Sequence, residues 1–394
     1  MSAITRTDSD QVKSAVMGMI VISSALVLVA LPFFMVGGLA VQIKEELGLT
    51  EAALGAAVTI GFVTGALTAP LGGRVADHFG PRRSVYLGCV LCAVTLLGLG
   101  LVVDGWGVMV GFLCLGGVAV ALTDPGLAIL VSRSIPDEVQ GLAFGVKEAS
   151  IPAATLVAGI AVPTVALTVG WRWAFAFGLL PLVAVFVLLP RLEVGPKRSE
   201  PAAARGTSKK ASPHRNAVLL VAVAAALGTT AASGVGIFLT DSAVAMGMSP
   251  GNAGLLLAFG SIAGIIARVS TGILADRTGG PQFKLISLML AGGALTIALG
   301  STGNTWLLIV ATVGAFTGGW AWTGIYFLSL VKTNPDRPGA VAGIGTAGLG
   351  VGNAAGPVLF GVVAGSVSFG AAWIGAAIVA ALAAGLMAAA RKMF

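Results

Sequence analysis

From Val16 to Val41 the chain runs for 26 residues without a charged side chain. At 1.5 Å per residue a helix of that length rises about 39 Å, more than the ~30 Å hydrocarbon core of a bilayer. The pattern recurs. Cutting the sequence at its charged or turn-rich breaks leaves candidate spans near 17–41, 52–72, 84–103, 107–131, 141–167 and 172–190. A second set lies near 217–240, 251–271, 284–301, 306–330, 340–366 and 369–390. Only 10% of the 394 residues are charged, against roughly 25% in soluble domains. Lipid must be the solvent for most of the surface, and the predicted fold class is an all-α membrane protein of 12 transmembrane helices.

Between the two sets, Arg191 to Asn216 holds Pro196, Lys197, Arg198, Pro201, Arg205, Lys209, Lys210 and Pro213. Such a polar, basic, proline-bearing stretch is a linker. It divides the chain into 1–190, a six-helix bundle, 191–216, a cytoplasmic linker, and 217–394, a second six-helix bundle. With the N-terminus inside, the inner segments carry 20 of the 23 lysines and arginines, among them Arg268; the outer ones carry only Lys44 and Arg172. Lys147 falls within a span. This bias predicts a multi-pass protein of the bacterial inner membrane with both termini cytoplasmic. It accounts for the net charge of +7 without a nucleic-acid partner. Val16–Val41 is also too long for the apolar core of a signal peptide, so it reads as a retained first helix.

Other classes find little support. His78 and His214 are the only histidines and lie far apart, and Cys89, Cys92 and Cys114 all sit in apolar runs where they pack as small residues. No Gly-Lys pair occurs anywhere, which disfavours a P-loop pump. A membrane sensor would need a larger soluble output domain than the linker, and no compact catalytic constellation is present. Hence no catalytic residue, metal or cofactor is expected. The expected partners are a small-molecule substrate, protons and lipid, with the chain acting as a monomer.

The two sets repeat one another. Gly73-Arg-Val-Ala-Asp77-His-Phe-Gly80 follows the second span and Gly272-Ile-Leu-Ala-Asp276-Arg277-Thr-Gly279 follows the eighth, 199 residues later. The same offset relates Gly55 to Gly254, Gly61 to Gly260 and Gly65 to Gly264. Internal repeats of this kind mark secondary transporters.

With its two six-helix halves, its basic central segment and the glycine–aspartate–arginine signature after spans 2 and 8, the whole chain resembles the major facilitator superfamily. His78 replaces the usual arginine and Pro81 precedes the arginine pair. The resemblance implies a carrier that alternates access by rocking its halves. It also implies that Gly73, Asp77, Gly80, Arg82, Arg83, Asp276 and Arg277 latch those halves in the outward-open state. Physically, a carboxylate at a helix end can accept from the free N–H groups of a neighbouring helix's first turn. Three stretches further resemble the cyanate/nitroimidazole-permease type of bacterial member: Gly145–Pro152, Gly170-Trp171-Arg172 and Gly319–Gly324.

Charges inside spans cost on the order of 3 kcal/mol or more at mid-bilayer, so they mark candidate sites. Asp124 precedes the expected turn at Pro136 by 12 residues and Lys147 follows it by 11, which predicts equal depth. Lys147 is expected to meet an anionic substrate, with Asp124 or Glu148 as resting partner and proton carrier. Neighbours in sequence diverge by about 100° on a helix, so only one of Lys147 and Glu148 should face a given spot. Pro125 and Pro152 are expected to free carbonyls nearby. The second half offers no full charge at this depth. Its candidates are Trp320, Trp322 and Tyr326 in span 10, Asn353 in span 11 and Thr230 in span 7, with Phe34 added from span 1. The predicted function is proton-coupled transport of a small organic anion. The alternative, suited to the span 10 tryptophans, is a proton-driven exporter of hydrophobic or aromatic compounds.

Overall fold

A computed structural model describes residues 8–134, 140–192, 215–334 and 338–394. The expected turn at Pro136 and nearly all of the expected linker lie outside them. Twelve helices among the described residues are long and apolar enough to cross a membrane. Spans 1–6 are Val16–Gly38, Glu51–Phe79, Pro81–Leu101, Trp106–Val131, Gly145–Ala166 and Trp171–Arg191. Spans 7–12 are Arg215–Ala245, Pro250–Thr278, Phe283–Thr302, Thr305–Thr333, Val341–Ser366 and Phe369–Arg391. A short helix, Ala40–Leu47, joins spans 1 and 2.

Spans 2 and 8 run about two turns further than their apolar stretches suggest, because a helix end can extend into water. They stop where the backbone must turn: Gly80 has φ +90° and Gly279 φ +73°, conformations that side chains resist. Pro81 then opens span 3 at its first turn, where its missing N–H is no loss. The signature is therefore the last turn of one helix, a left-handed-region glycine and the first turn of the next.

The sequence repeat is a repeat of contacts. Gly61 packs against Leu113 and Gly65 against Gly117, joining spans 2 and 4. At the 199-residue offset, Gly260 packs against Thr312 and Gly264 against Phe316, joining spans 8 and 10. Between the halves, span 2 lies on span 11 and span 5 on span 8. Backbones nearly touch there: a Cβ on Gly55 would come within 2.4 Å of the Pro357 carbonyl oxygen, and one on Gly159 within 2.6 Å of that of Gly254.

The two ends of the molecule differ. On the face bearing Lys44, span 7 closes on span 1 through Thr240 Oγ1, which donates to the Gly37 carbonyl at 2.8 Å. There Lys44 Nζ binds both Glu51 of span 2 and Asp241 of span 7 at 2.7 Å. Towards the face bearing Asp77, the glycines of spans 2 and 11 turn to neighbours in their own half. Gly65 and Gly72 meet span 4, and Gly348 meets span 7.

Candidate functional site

Asp124 and Lys147 meet. Lys147 Nζ lies 3.0 Å from Asp124 Oδ1 of span 4 and 3.4 Å from Glu148 Oε1 of its own helix. The lysine stem is long enough to reach back across the 100° offset, so Lys147 and Glu148 share one cluster after all. Glu148 is buried and Lys147 nearly so, whereas the Asp124 side chain keeps 38% of its surface open. Asp124 is the member of the group that solvent reaches most readily. Helix runs unbroken through both Pro125 and Pro152, yet Pro152 has no N–H to donate, so the carbonyl of Glu148, four residues before it, is left free and accepts from Arg268.

A second carbonyl is freed in span 10. The α-helix from Thr305 gives way to a π-helical turn over Ala315–Gly319, then to a break at Trp320–Trp322, before helix resumes at Thr323. Gly318 and Gly319 permit the break by lying directly on Gly293 of span 9. The released carbonyl of Trp320 accepts from Arg268 Nη2 at 3.1 Å. Arg268 Nη1 donates to the main-chain carbonyl of Glu148, across the boundary between the halves.

The second half thus does contribute a full charge to the centre. Arg268 is only 1% exposed, and its guanidinium stands over the Trp320 ring at 5.4 Å. Sequence reasoning assigned it to the inner boundary because it lies near the C-terminal end of the apolar run. Span 8, however, continues ten residues beyond it, to Thr278. The available signal was the repeat itself: Arg268 precedes Asp276 by eight residues, which places it about 12 Å inside that helix end.

Trp320 and Phe34 also belong to the boundary, with ring centroids 5.7 Å apart. Trp322 and Tyr326 do not. Trp322 packs on Gly228 of span 7 and Leu290 of span 9, and its indole N–H donates to Gly319 O at 2.7 Å. Tyr326 donates to Gly345 O at 3.4 Å. Both lie in the apolar core of the C-terminal bundle with Val221, Ile286 and Met387, because the break rotates the following helix inward. Thr230 is satisfied by its own helix, donating to Ala226 O at 2.8 Å. It lines an apolar groove with Phe360 and Ala376, between spans 7, 11 and 12, away from Lys147. Asn353 is half-buried on span 11.

Among the described residues, one of the two signature aspartates is seen to bond across the boundary between the halves. Asp276 Oδ2 accepts from the Leu142 N–H at 2.9 Å, joining the end of span 8 to the first turn of the helix that carries span 5. Its counterpart Asp77 is exposed, as are Arg83 and Arg277. Arg82 donates to the Leu192 carbonyl within its own half, and Gly73 has open space beside it.

The Gly170-Trp171-Arg172 corner is a brace. Trp171 Nε1 and Arg172 both donate to Glu46, at 2.6 and 2.7 Å. These bonds, Arg172's first, hold the Glu46 carboxyl below its ordinary pKa. Burial alone would pull Lys44 down, but its hydrogen bonds to Asp241 and Glu51 outweigh that and hold it above its ordinary value.

Several known proteins are similar to this chain in sequence or in fold. The chain is 25% identical over 319 residues to an uncharacterized MFS-type transporter of Mycobacterium tuberculosis, covering 76% of this chain and 68% of that one. It is 22% identical to multidrug resistance protein 1 of Bacillus subtilis, covering 82% and 83%. Two shorter matches, to another such M. tuberculosis transporter and to a zebrafish (Danio rerio) facilitated glucose transporter, span only 22% and 21% of those proteins. Among solved structures, a D-xylose-proton symporter superposes with a TM-score of 0.74 at 17% identity, covering 95% of this chain and 97% of that one. An inward-facing bacterial homolog of the human lysosomal transporter Spinster gives 0.70 at 13%, covering 95% and 96%. The family model for the Major Facilitator Superfamily matches residues 22–305, and the chain belongs to that superfamily.

Proposed function

We propose that this chain is a proton-coupled carrier of small organic anions, working by rocking its two bundles about the centre, with the Asp77 face cytoplasmic. The observation that carries it is Lys147, an ammonium buried inside a span between Asp124 and Glu148. With Arg268, the centre holds two cations and two carboxylates, and so is neutral at rest. An anion taking Asp124's place on Lys147 would leave one excess negative charge in a low-dielectric interior. A proton on Asp124, the most exposed of the four, restores neutrality. Anion and proton therefore travel together, and each charge that moves across the membrane is worth about 2.3 kcal/mol per 100 mV.

The match to a multidrug resistance protein speaks for the exporter alternative. That alternative drew on an aromatic lining in span 10, and Trp322 is packed in the bundle core instead. Monomeric action in the inner membrane, termini inside, fits the same scheme.

The test is flux into proteoliposomes under an outside-acid pH gradient, with a panel of small carboxylates identified by thermal shift. Uptake should follow the gradient and vanish in Lys147→Gln. Uptake of that variant at the unaltered rate, or efflux of hydrophobic dyes that it retains, would remove the anion reading.

A further inference from the structure

Arg268 is a cation sealed in the interior with no carboxylate oxygen bonded to it among the described residues. Among the described residues, its hydrogen-bond partners are main-chain carbonyl oxygens: Glu148 from the N-terminal half and Trp320 from the C-terminal half. Neutral carbonyls do not discharge a guanidinium, and the Glu148 carboxylate acts on it only through space while paired to Lys147, so the cation is incompletely matched. Its Nε and the hydroxyl of Thr323, just past the span 10 break, are both buried without a hydrogen-bond partner among the described residues. Donor capacity is thus left over on the C-terminal side of the boundary.

Arg268 stands at the level of Lys147. Gly145 lies directly on it, since a Cβ there would be 3.0 Å from the Arg268 carbonyl oxygen, and Glu148 O takes its Nη1. Span 5 residues 145–148 therefore bring both cations to one stretch of the boundary. The bond to Glu148 crosses between the halves, so any rocking that parts spans 5 and 8 must break it and free the guanidinium for another acceptor.

The surroundings select the acceptor. A guanidinium is a planar fork matched to two carboxylate oxygens. Beside it, Trp320 and Phe34 present rings from opposite halves, a setting for a flat apolar body.

We propose that Arg268 is the C-terminal half's ligand for the transported anion, a planar carboxylate with an apolar body held between Arg268 and Lys147. The proposal rests on the anion-carrier reading above and adds what that reading lacks, a hold from the second half. One cation from each bundle on one substrate makes occupancy draw the halves together.

Benzoate is the probe. The purified carrier should show a saturable benzoate-dependent rise in melting temperature. Arg268→Lys, which keeps the charge and loses the fork, should bind benzoate at least tenfold more weakly while melting like the unaltered protein without it. Lys147→Gln is measured in parallel. If Lys147→Gln loses benzoate and Arg268→Lys binds it normally, Arg268 is a strut and only this inference falls. Should both bind normally, the anion reading falls with it; no saturable benzoate effect in the unaltered protein overturns the assigned substrate class. Arginine modification by phenylglyoxal in membranes needs no variant. Benzoate should slow labelling of Arg268 while leaving exposed Arg277 unchanged, and equal labelling of Arg268 with and without benzoate overturns the proposal.

Discussion

Two lysines in this molecule each hold a pair of carboxylates, and they hold them differently. Lys147 binds Asp124 and Glu148, both in the N-terminal bundle, so its cluster travels as one body when the bundles rock. Lys44 binds Glu51 in the N-terminal bundle and Asp241 in the C-terminal one. The second cluster must break whenever the Lys44 face opens. The same chemistry makes a cluster within one bundle in one place and a clasp between bundles in the other, and the difference lies only in which bundle supplies the second acid. Of the two basic residues that the positive-inside pattern leaves on the outer side, Lys44 ties the bundles together and Arg172 pairs with Glu46 inside its own.

The largest effect that can break this comparison is at the centre. Lys147→Gln leaves the buried Glu148 carboxylate and the more open Asp124 without their shared cation, and removing one partner of a buried pair costs about 3–5 kcal/mol. Uptake should fall at least about 100-fold, since each 1.4 kcal/mol is tenfold. A loss under about twofold would mean that the two lysines are not different in kind.

Asp241→Asn should act in the opposite sense, loosening the Lys44 face while sparing substrate affinity. Ile237 lies fully buried beneath that face, against Gly37. A cysteine placed there by Ile237→Cys should react with a membrane-impermeant maleimide about tenfold faster in the Asp241→Asn background. This estimate takes a charged hydrogen bond as worth about 1.5 kcal/mol. Unchanged labelling would show that the clasp does not hold the face shut.

Asp124→Asn separates binding from coupling. Lys147 keeps Glu148, so substrate affinity should change by only about threefold, on the order of 0.7 kcal/mol. Uptake should lose its dependence on an imposed pH gradient. A variant still driven by the gradient would move the proton site elsewhere.

The smallest effect tests the brace near the clasp. Glu46 has its pKa lowered in the folded state by Arg172 and then Trp171. A depressed carboxyl contributes stability above its unfolded pKa and loses it as pH falls through the folded one. The pair is half-exposed, so its worth is well under about 1 kcal/mol. Glu46→Gln should lower the melting temperature by about 1 °C near neutral pH, and the gap to the unaltered protein should close below about pH 4. A gap that persists in acid would assign the change to packing on Trp171 instead.

Hydropathy alone determined the twelve spans, because a chain with so few charges has no stable arrangement in water and each apolar run matches one bilayer crossing. The 199-residue repeat announced two like bundles, and counting turns from both sides of Pro136 brought Asp124 level with Lys147. Those are local or additive properties, and they survive without coordinates. What only the tertiary structure decided is which way the span 10 aromatics look, which of two equivalent aspartates reaches the other half, and that Arg268 is central and not peripheral. Each depends on a backbone break or a long side chain meeting a specific neighbour. The π-helical turn before Trp320 rotates Trp322 and Tyr326 into the bundle core, and no periodicity in the sequence carries that rotation. A charge near the end of an apolar run looks the same whether its helix stops there or continues for ten more residues, and packing against the opposite bundle alone tells the two apart.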